Sequence, residues 1–205
     1  MKALLTMSAA LAGLAIFVAT ACETAVSQSP TAPTSQPSAK QYGGFATQAE
    51  WGEHLVTITG CDDCHSPKTM TAQGPAPDMS RRLSGHPADG TVPSFERKTP
   101  QSIGWTVTNE HLSAWQGAWG TSFSANLTPD ESGIGSWTEE QFINAIRKGK
   151  LKGLDNSRTL LPPMPWPNYA RMSDDELKAI FAFLKSLPPV KNVVPAPIPP
   201  ASAKS

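Results

Sequence analysis

Cysteine is scarce in this chain: 3 residues in 205, of which two stand close together. No second Cys/His pair lies at zinc spacing, so a closed four-ligand zinc site has no candidate ligands. No βαβ pattern surrounds the close pair, which argues against a thioredoxin-like redox module. Net charge is lacking as well, because 17 basic and 17 acidic side chains cancel to a formal charge of +0. A nucleic acid or an acidic surface therefore has no electrostatic handle on the chain. Long apolar runs are missing except at the start, and that one is short for a membrane-spanning helix. With 39% hydrophobic residues there is material for one domain of ordinary size. What is plentiful is proline, with 20 residues crowded toward the ends, and tryptophan, with 6 in the middle.

The close pair lies in Cys61-Asp62-Asp63-Cys64-His65. Cys-x-x-Cys-His is the attachment pattern of a c-type haem. Two cysteines three residues apart sit about one helical turn from each other, so both sulfurs can add to the vinyl groups of one porphyrin. The histidine that follows is carried under the iron and can bind it as the proximal ligand. A single copy of the pattern predicts one covalent haem c.

Residues 1–21 read as an export signal, with Lys2 the only charge before an apolar run from Ala3 to Ala19. The run ends Val18-Ala19-Thr20-Ala21-Cys22. Small residues followed at once by cysteine resemble a lipobox, which predicts a lipid on Cys22, although Ala19 stands where leucine is usual. An ordinary cleaved signal and a retained anchor are the alternatives. Residues 22–44 are expected to form a lipid-anchored disordered tether, because 23–40 (ETAVSQSPTAPTSQPSAK) contain no large apolar side chain. Export, lipidation and haem attachment together give each of the three cysteines a fate in an oxidising compartment. The expected location is the periplasmic side of a bacterial membrane.

The folded domain is expected over 45–195. Thr47-Gln48-Ala49-Glu50 is a capping box that opens a helix with Trp51, Leu55 and Ile58 at helical spacing. Gly52 and Val56 share a neighbouring face, where the glycine lets a second helix cross closely, and Gly60 suits the C-cap. Residues 66–125 read as a loop-rich insert broken by prolines, with a small hairpin expected from Ile103–Thr108 and Ala114–Phe123. Met70, Met79, His86 and His111 lie in the insert and are expected to be surface or packing residues. Trp105, Trp115 and Trp119 are expected either to cover the cofactor or to form a satellite core. Thr138 with Gln141 caps a second helix carrying Phe142, Ile143 and Ile146, which Gly149 closes.

Leu160-Leu161-Pro162-Pro163-Met164-Pro165-Trp166-Pro167 is the second informative stretch. Its prolines hold the backbone extended, and a stiff loop is what a weak iron–thioether bond requires. Met164 is therefore the predicted axial partner of His65, the alternative being a packed core methionine. Trp166 and Tyr169, close by in sequence, are candidate pocket residues. Met172 has another explanation: Ser173 and Glu176 form a capping box, which puts Met172 and Leu177 in the hydrophobic-staple positions. Leu177, Ile180, Phe181 and Leu184 then make the buried stripe of a final helix, stopped by Pro188-Pro189. Residues 196–205 read as a loose proline-rich tail.

The order of capped helix, Cys61-x-x-Cys64-His65, middle helix, Met loop and final helix resembles the class I mono-haem cytochrome c family. Asn126–Trp137, Ala145–Gly149, Pro162–Trp166 and Tyr169 look more specifically like the cytochrome c modules of bacterial membrane-bound dehydrogenase cytochrome subunits. The resemblance implies a mainly α domain around one haem held by Cys61 and Cys64, with His65 and Met164 on the iron. It implies an electron carrier rather than an enzyme, serving a dehydrogenase, a cytochrome complex or a terminal oxidase. The alternatives are a peroxidase-like haem enzyme or a gas-binding sensor, both of which need an open sixth position, and a lipoprotein using haem only as a folding staple.

Overall fold

The computed structural model describes residues 41–90, 92 and 104–200. The expected signal segment, Cys22 and the tether up to residue 40 lie outside the described residues, as do Ile103 and 201–205.

Helix α1 (Gln48–Ile58) begins at its capping box: Glu50 N donates to Thr47 Oγ1 at 3.1 Å, and Thr47 N donates to Glu50 Oε2 at 3.3 Å. Gly60, at φ +72°, turns the chain at once into the short helix α2 (Cys61–His65). The buried face of α1 runs through Gly52, Leu55 and Val56. Ile58, expected to share the helical spacing of Leu55, is 63% exposed and lies off the face of Gly52, Leu55 and Val56. The same box chemistry opens α3 (Glu139–Lys148) at Thr138/Gln141 and, after the single-turn helix α4 (Trp166–Tyr169), α5 (Asp174–Ser186) at Ser173/Glu176.

Helix α5 buries Leu177, Ala179, Ile180, Phe181, Phe183 and Leu184 and packs across α1. Gly52 makes that crossing fit. A Cβ there would lie 1.9 Å from the Ala179 carbonyl oxygen and 2.8 Å from Phe183 Cβ. Phe142 of α3 closes the core against Phe181, ring centroids 5.4 Å apart, and Met172 packs on the same cluster as the staple arrangement requires.

Two small antiparallel sheets stand beside this helical core. Strands β1 (Lys68–Thr71) and β2 (Gly74–Pro77) pair Lys68 with Pro77 and Thr71 with Gly74. Pro75 and Pro77 argued against regular structure here, but a two-stranded ribbon has an outer edge on each strand where a missing N–H is tolerated. The expected pairing of the two segments is present as β3 (Val107–Thr108) against β4 (Ala114–Gly117), and the second segment itself folds back at Gly117–Gly120 into β5 (Gly120–Phe123).

Past α5 the chain does not run loose. Thr121 N donates to Ile198 O at 2.8 Å and Ile198 N to Thr121 O at 2.9 Å, adding one rung beside β5. Asn192 spends its amide on three backbone groups, donating to Ser84 O and His86 O and accepting from Ala88 N. Asn192 falls within the expected domain, while Ile198 lies in the expected loose tail, of which 196–200 are described and run extended beside β5. Among the described residues, no helix is long and apolar enough to cross a membrane.

Candidate functional site

Helix α2 places Cys61 and Cys64 one turn apart, both unpaired. Thr59 Oγ1 lies 3.4 Å from Cys61 Sγ. Burial pushes both thiols above their ordinary range, helped at Cys61 by Asp62 and at Cys64 by Asp63.

His65 closes the helix with a fixed ring. Its Nδ1 stands 2.8 Å from the Ala125 carbonyl oxygen. A carbonyl only accepts, so Nδ1 carries the proton and Nε2 keeps a free lone pair. Burial lowers the pKa of the ring, opposed by the Ala125 bond and by Asp62, and so favours the neutral imidazole that binds metal. The backbone is held too, as Gly85 N donates to His65 O at 2.7 Å. Two free thiols a turn apart and an imidazole of set tautomer form the donor set that a covalent haem c requires.

Arg82 anchors α2 from outside. Its guanidinium engages both carboxylate oxygens of Asp62, at 3.1 and 2.9 Å, reaches Glu53 of α1, and stacks 5.0 Å over Phe183 of α5. One planar cation thus joins the motif helix to both crossing helices.

The remaining predicted residues divide. Tyr169 donates its hydroxyl to Thr59 O at 2.7 Å, which ties the end of the Met loop to the turn just before Cys61. Burial raises the Tyr169 pKa, and the neighbouring Cys61 and Cys64 add to it. Met164 sits half-buried in a turn where its N donates to Leu161 O at 3.3 Å and the Pro162–Pro163 peptide is cis. Ser122 of β5 donates to Pro162 O at 2.5 Å, so the insert buttresses this loop. Trp166 packs on the end of α3: its indole lies over Gly149, where a Cβ would come within 2.3 Å of Cε2.

In the insert, Met70 and Met79 are exposed at 73% and 63%. His86 is fully enclosed, with Nδ1 2.9 Å from Ser113 Oγ and its ring on Phe123. His111 Nδ1 accepts from Lys68 N at 3.3 Å. Trp115 and Trp119 donate to Leu112 O and Ser122 Oγ, while Trp105 is 68% exposed. Ala125, Gly85, Arg82 and Lys68 support the motif, and none stood out in the sequence. A backbone carbonyl or N–H carries no residue signature, and the Arg81-Arg82 pair was the one usable hint.

A family model described as cytochrome c matches residues 49–188. The cytochrome c subunit of the quinone alcohol dehydrogenase of Gluconobacter oxydans (strain 621H) is 45% identical over 133 residues, covering 64% of this chain and 20% of the relative. The gluconate 2-dehydrogenase cytochrome c subunit of Pantoea cypripedii is 44% identical over 73 residues, 35% of this chain and 16% of the relative. A diheme cytochrome c-type protein of Cereibacter sphaeroides is 26% identical over 149 residues, 72% and 39% of the two chains. The chain therefore spans a fifth or less of the two dehydrogenase subunits it matches.

Proposed function

The chain belongs to the cytochrome c family, and from that premise we propose that it is an exported single-haem electron carrier working beside a membrane-bound dehydrogenase. The observation that carries this function is α2, where the free Cys61 and Cys64 share a helix with a His65 whose Nδ1 is already committed to Ala125. Haem c, when bound, supplies one reversible iron-centred electron.

The residues divide the work. Cys61 and Cys64 hold the porphyrin by thioethers. His65 offers Nε2, and Ala125 fixes the ring so that no reorientation accompanies a change of charge. Met164, held in its proline loop, would be the second iron ligand and would exclude small ligands. Tyr169 joins the two ligand-bearing segments through Thr59, so they move as one body.

The names of the relatives support a dehydrogenase as electron source, with a cytochrome complex or terminal oxidase as acceptor. Residues 1–21 direct export, Cys22 carries the lipid, and the tether over 22–44 raises the effective concentration at the membrane surface. The test uses chain purified from a host that attaches haem. One haem per chain is expected by mass, with loss of attachment in Cys61→Ser/Cys64→Ser. Ferrous protein is expected to ignore CO, and ferric protein to carry the thioether charge-transfer band, both properties lost in Met164→Ala. Ready CO binding by the unaltered protein would turn the assignment to an open-site enzyme or gas sensor.

A further inference from the structure

Lys68 makes three hydrogen bonds with one nitrogen. Its Nζ donates to Asp62 O at 2.9 Å, Asp63 O at 2.9 Å and Ser66 O at 2.7 Å. Three acceptors use three hydrogens, and only the charged ammonium offers three. Asp62 and Asp63 belong to α2 and Ser66 is its C-cap; Asp62 O also accepts from Ser66 N at 3.2 Å, and carbonyls in a helix's last turn carry partial negative charge. A cation is the natural cap there, and α2 is so short that the cap sits one turn from the two thiols and the imidazole.

The backbone under Lys68 is held from three sides. Lys68 opens β1 opposite Pro77, its N donates to His111 Nδ1 at 3.3 Å, and Asp78 N donates to the preceding Pro67 O at 2.7 Å. The β1–β2 ribbon thus aims one side chain back at the motif helix. Nearby charges single out this ammonium. The Asp62 carboxylate is already engaged by Arg82 at 2.9 Å and by Ser66 Oγ at 2.7 Å. Asp63 forms no ion pair among the described residues, and Lys68 meets its backbone carbonyl rather than its carboxylate.

We propose that Lys68 is a positioning residue that raises the reduction potential of the haem, by fixing a positive charge against the carbonyls at the end of α2. This rests on the haem assignment above. Reduction takes up one electron and makes or breaks no bond, so the iron site loses one unit of positive charge. A fixed cation beside it favours the reduced form, and removing that cation favours the oxidised one.

The test is a mediated spectroelectrochemical titration of the full haem-loaded chain, comparing the unaltered protein with Lys68→Met, Lys68→Gln and Lys68→Arg at one salt concentration. Haem content and far-UV circular dichroism are measured on the same samples. Glutamine keeps donors without charge, so it separates charge from capping. The expected result is a shift toward the ferric form of about three- to tenfold at fixed ambient potential for Met and Gln. Arg is expected to stay close to the unaltered protein. Met and Gln variants titrating with the unaltered protein would overturn the proposal. So would neutral variants that carry no haem while Arg does, since that assigns Lys68 to attachment instead. If the unaltered protein has no reversible iron couple, the haem assignment itself fails, and that control alone reveals it.

Discussion

Gly52→Ala tests the crossing of α1 and α5 by one methyl group. The added Cβ would sit 1.9 Å from the Ala179 carbonyl oxygen and 2.5 Å from its carbon, where ordinary contact begins near 3.4 Å. The obstacle is backbone, so no rotamer change relieves it, and the helices have to part by about 1.5 Å. Overpacking a filled core costs about 1–3 kcal/mol, and a rigid obstacle belongs at the upper end. Parting the helices also weakens every contact along the crossing, since a gap of about 0.5–1 Å forfeits a quarter to a half of each contact's attraction. Against this stands the better helix propensity of alanine, about 1 kcal/mol. The net expectation is a loss of about 2 kcal/mol, or about 4–8 °C in the unfolding midpoint for a domain of this size. Thermal and guanidinium unfolding of the haem-loaded chain, followed by far-UV circular dichroism, read both quantities. A midpoint that stays or rises, as propensity alone dictates, would refute the close crossing.

Two further perturbations separate electrostatics from packing. Arg82→Ala strands Asp62, whose side chain is 16% exposed, and is expected to cost about 2–4 kcal/mol in urea unfolding. Arg82→Lys is expected to recover little of it, because an ammonium cannot span both Asp62 oxygens and Glu53, and full recovery would show that only the charge matters. His86 is enclosed, with no partner for Nε2 among the described residues, and burial, aided by His111 and opposed by the Gly90 backbone and Asp89, lowers its pKa. The unfolded chain therefore binds that proton more readily than the folded one. Stability from this ring is complete above the unfolded value of about 6.5 and falls as pH drops below it, levelling once the folded ring takes the proton. Melting from pH 8 to 5 is expected to show a steeper decline for the unaltered protein than for His86→Gln, and parallel declines would remove His86 from the account.

The legible parts of the chain are those whose chemistry is local. The boxes at Thr47, Thr138 and Ser173 were readable because cap and partner stand three residues apart. The cysteine–histidine motif was readable for the same reason. Gly52 was readable as a crossing point because it falls on the buried face beside Val56. Support from a distance left no trace, since the carbonyl of Ala125 differs in nothing from any other. Proline content misled twice: at β1–β2, where an edge strand tolerates it, and at 196–200, where the chain runs extended beside β5 through Ile198. Proximity in sequence joined Trp166 to Tyr169, but one turn of α4 sends the indole to Gly149 and the phenol to Thr59.

The strap also has a meaning in time. Gly85, which holds the His65 carbonyl, lies between Ser84 and His86, the two residues whose carbonyls Asn192 gathers. A chain delivered N-terminus first across a membrane, as the proposed export requires, presents residue 65 before residue 192. The motif helix therefore emerges and waits with its rear wall unfinished, and only the late arrival of the strap completes it. A chain halted between α5 and Asn192 would possess the cysteine–histidine motif and both crossing helices, yet lack the piece that closes the wall behind them. Truncation there and substitution at Asn192 belong to one class of defect, a failure of completion rather than of chemistry.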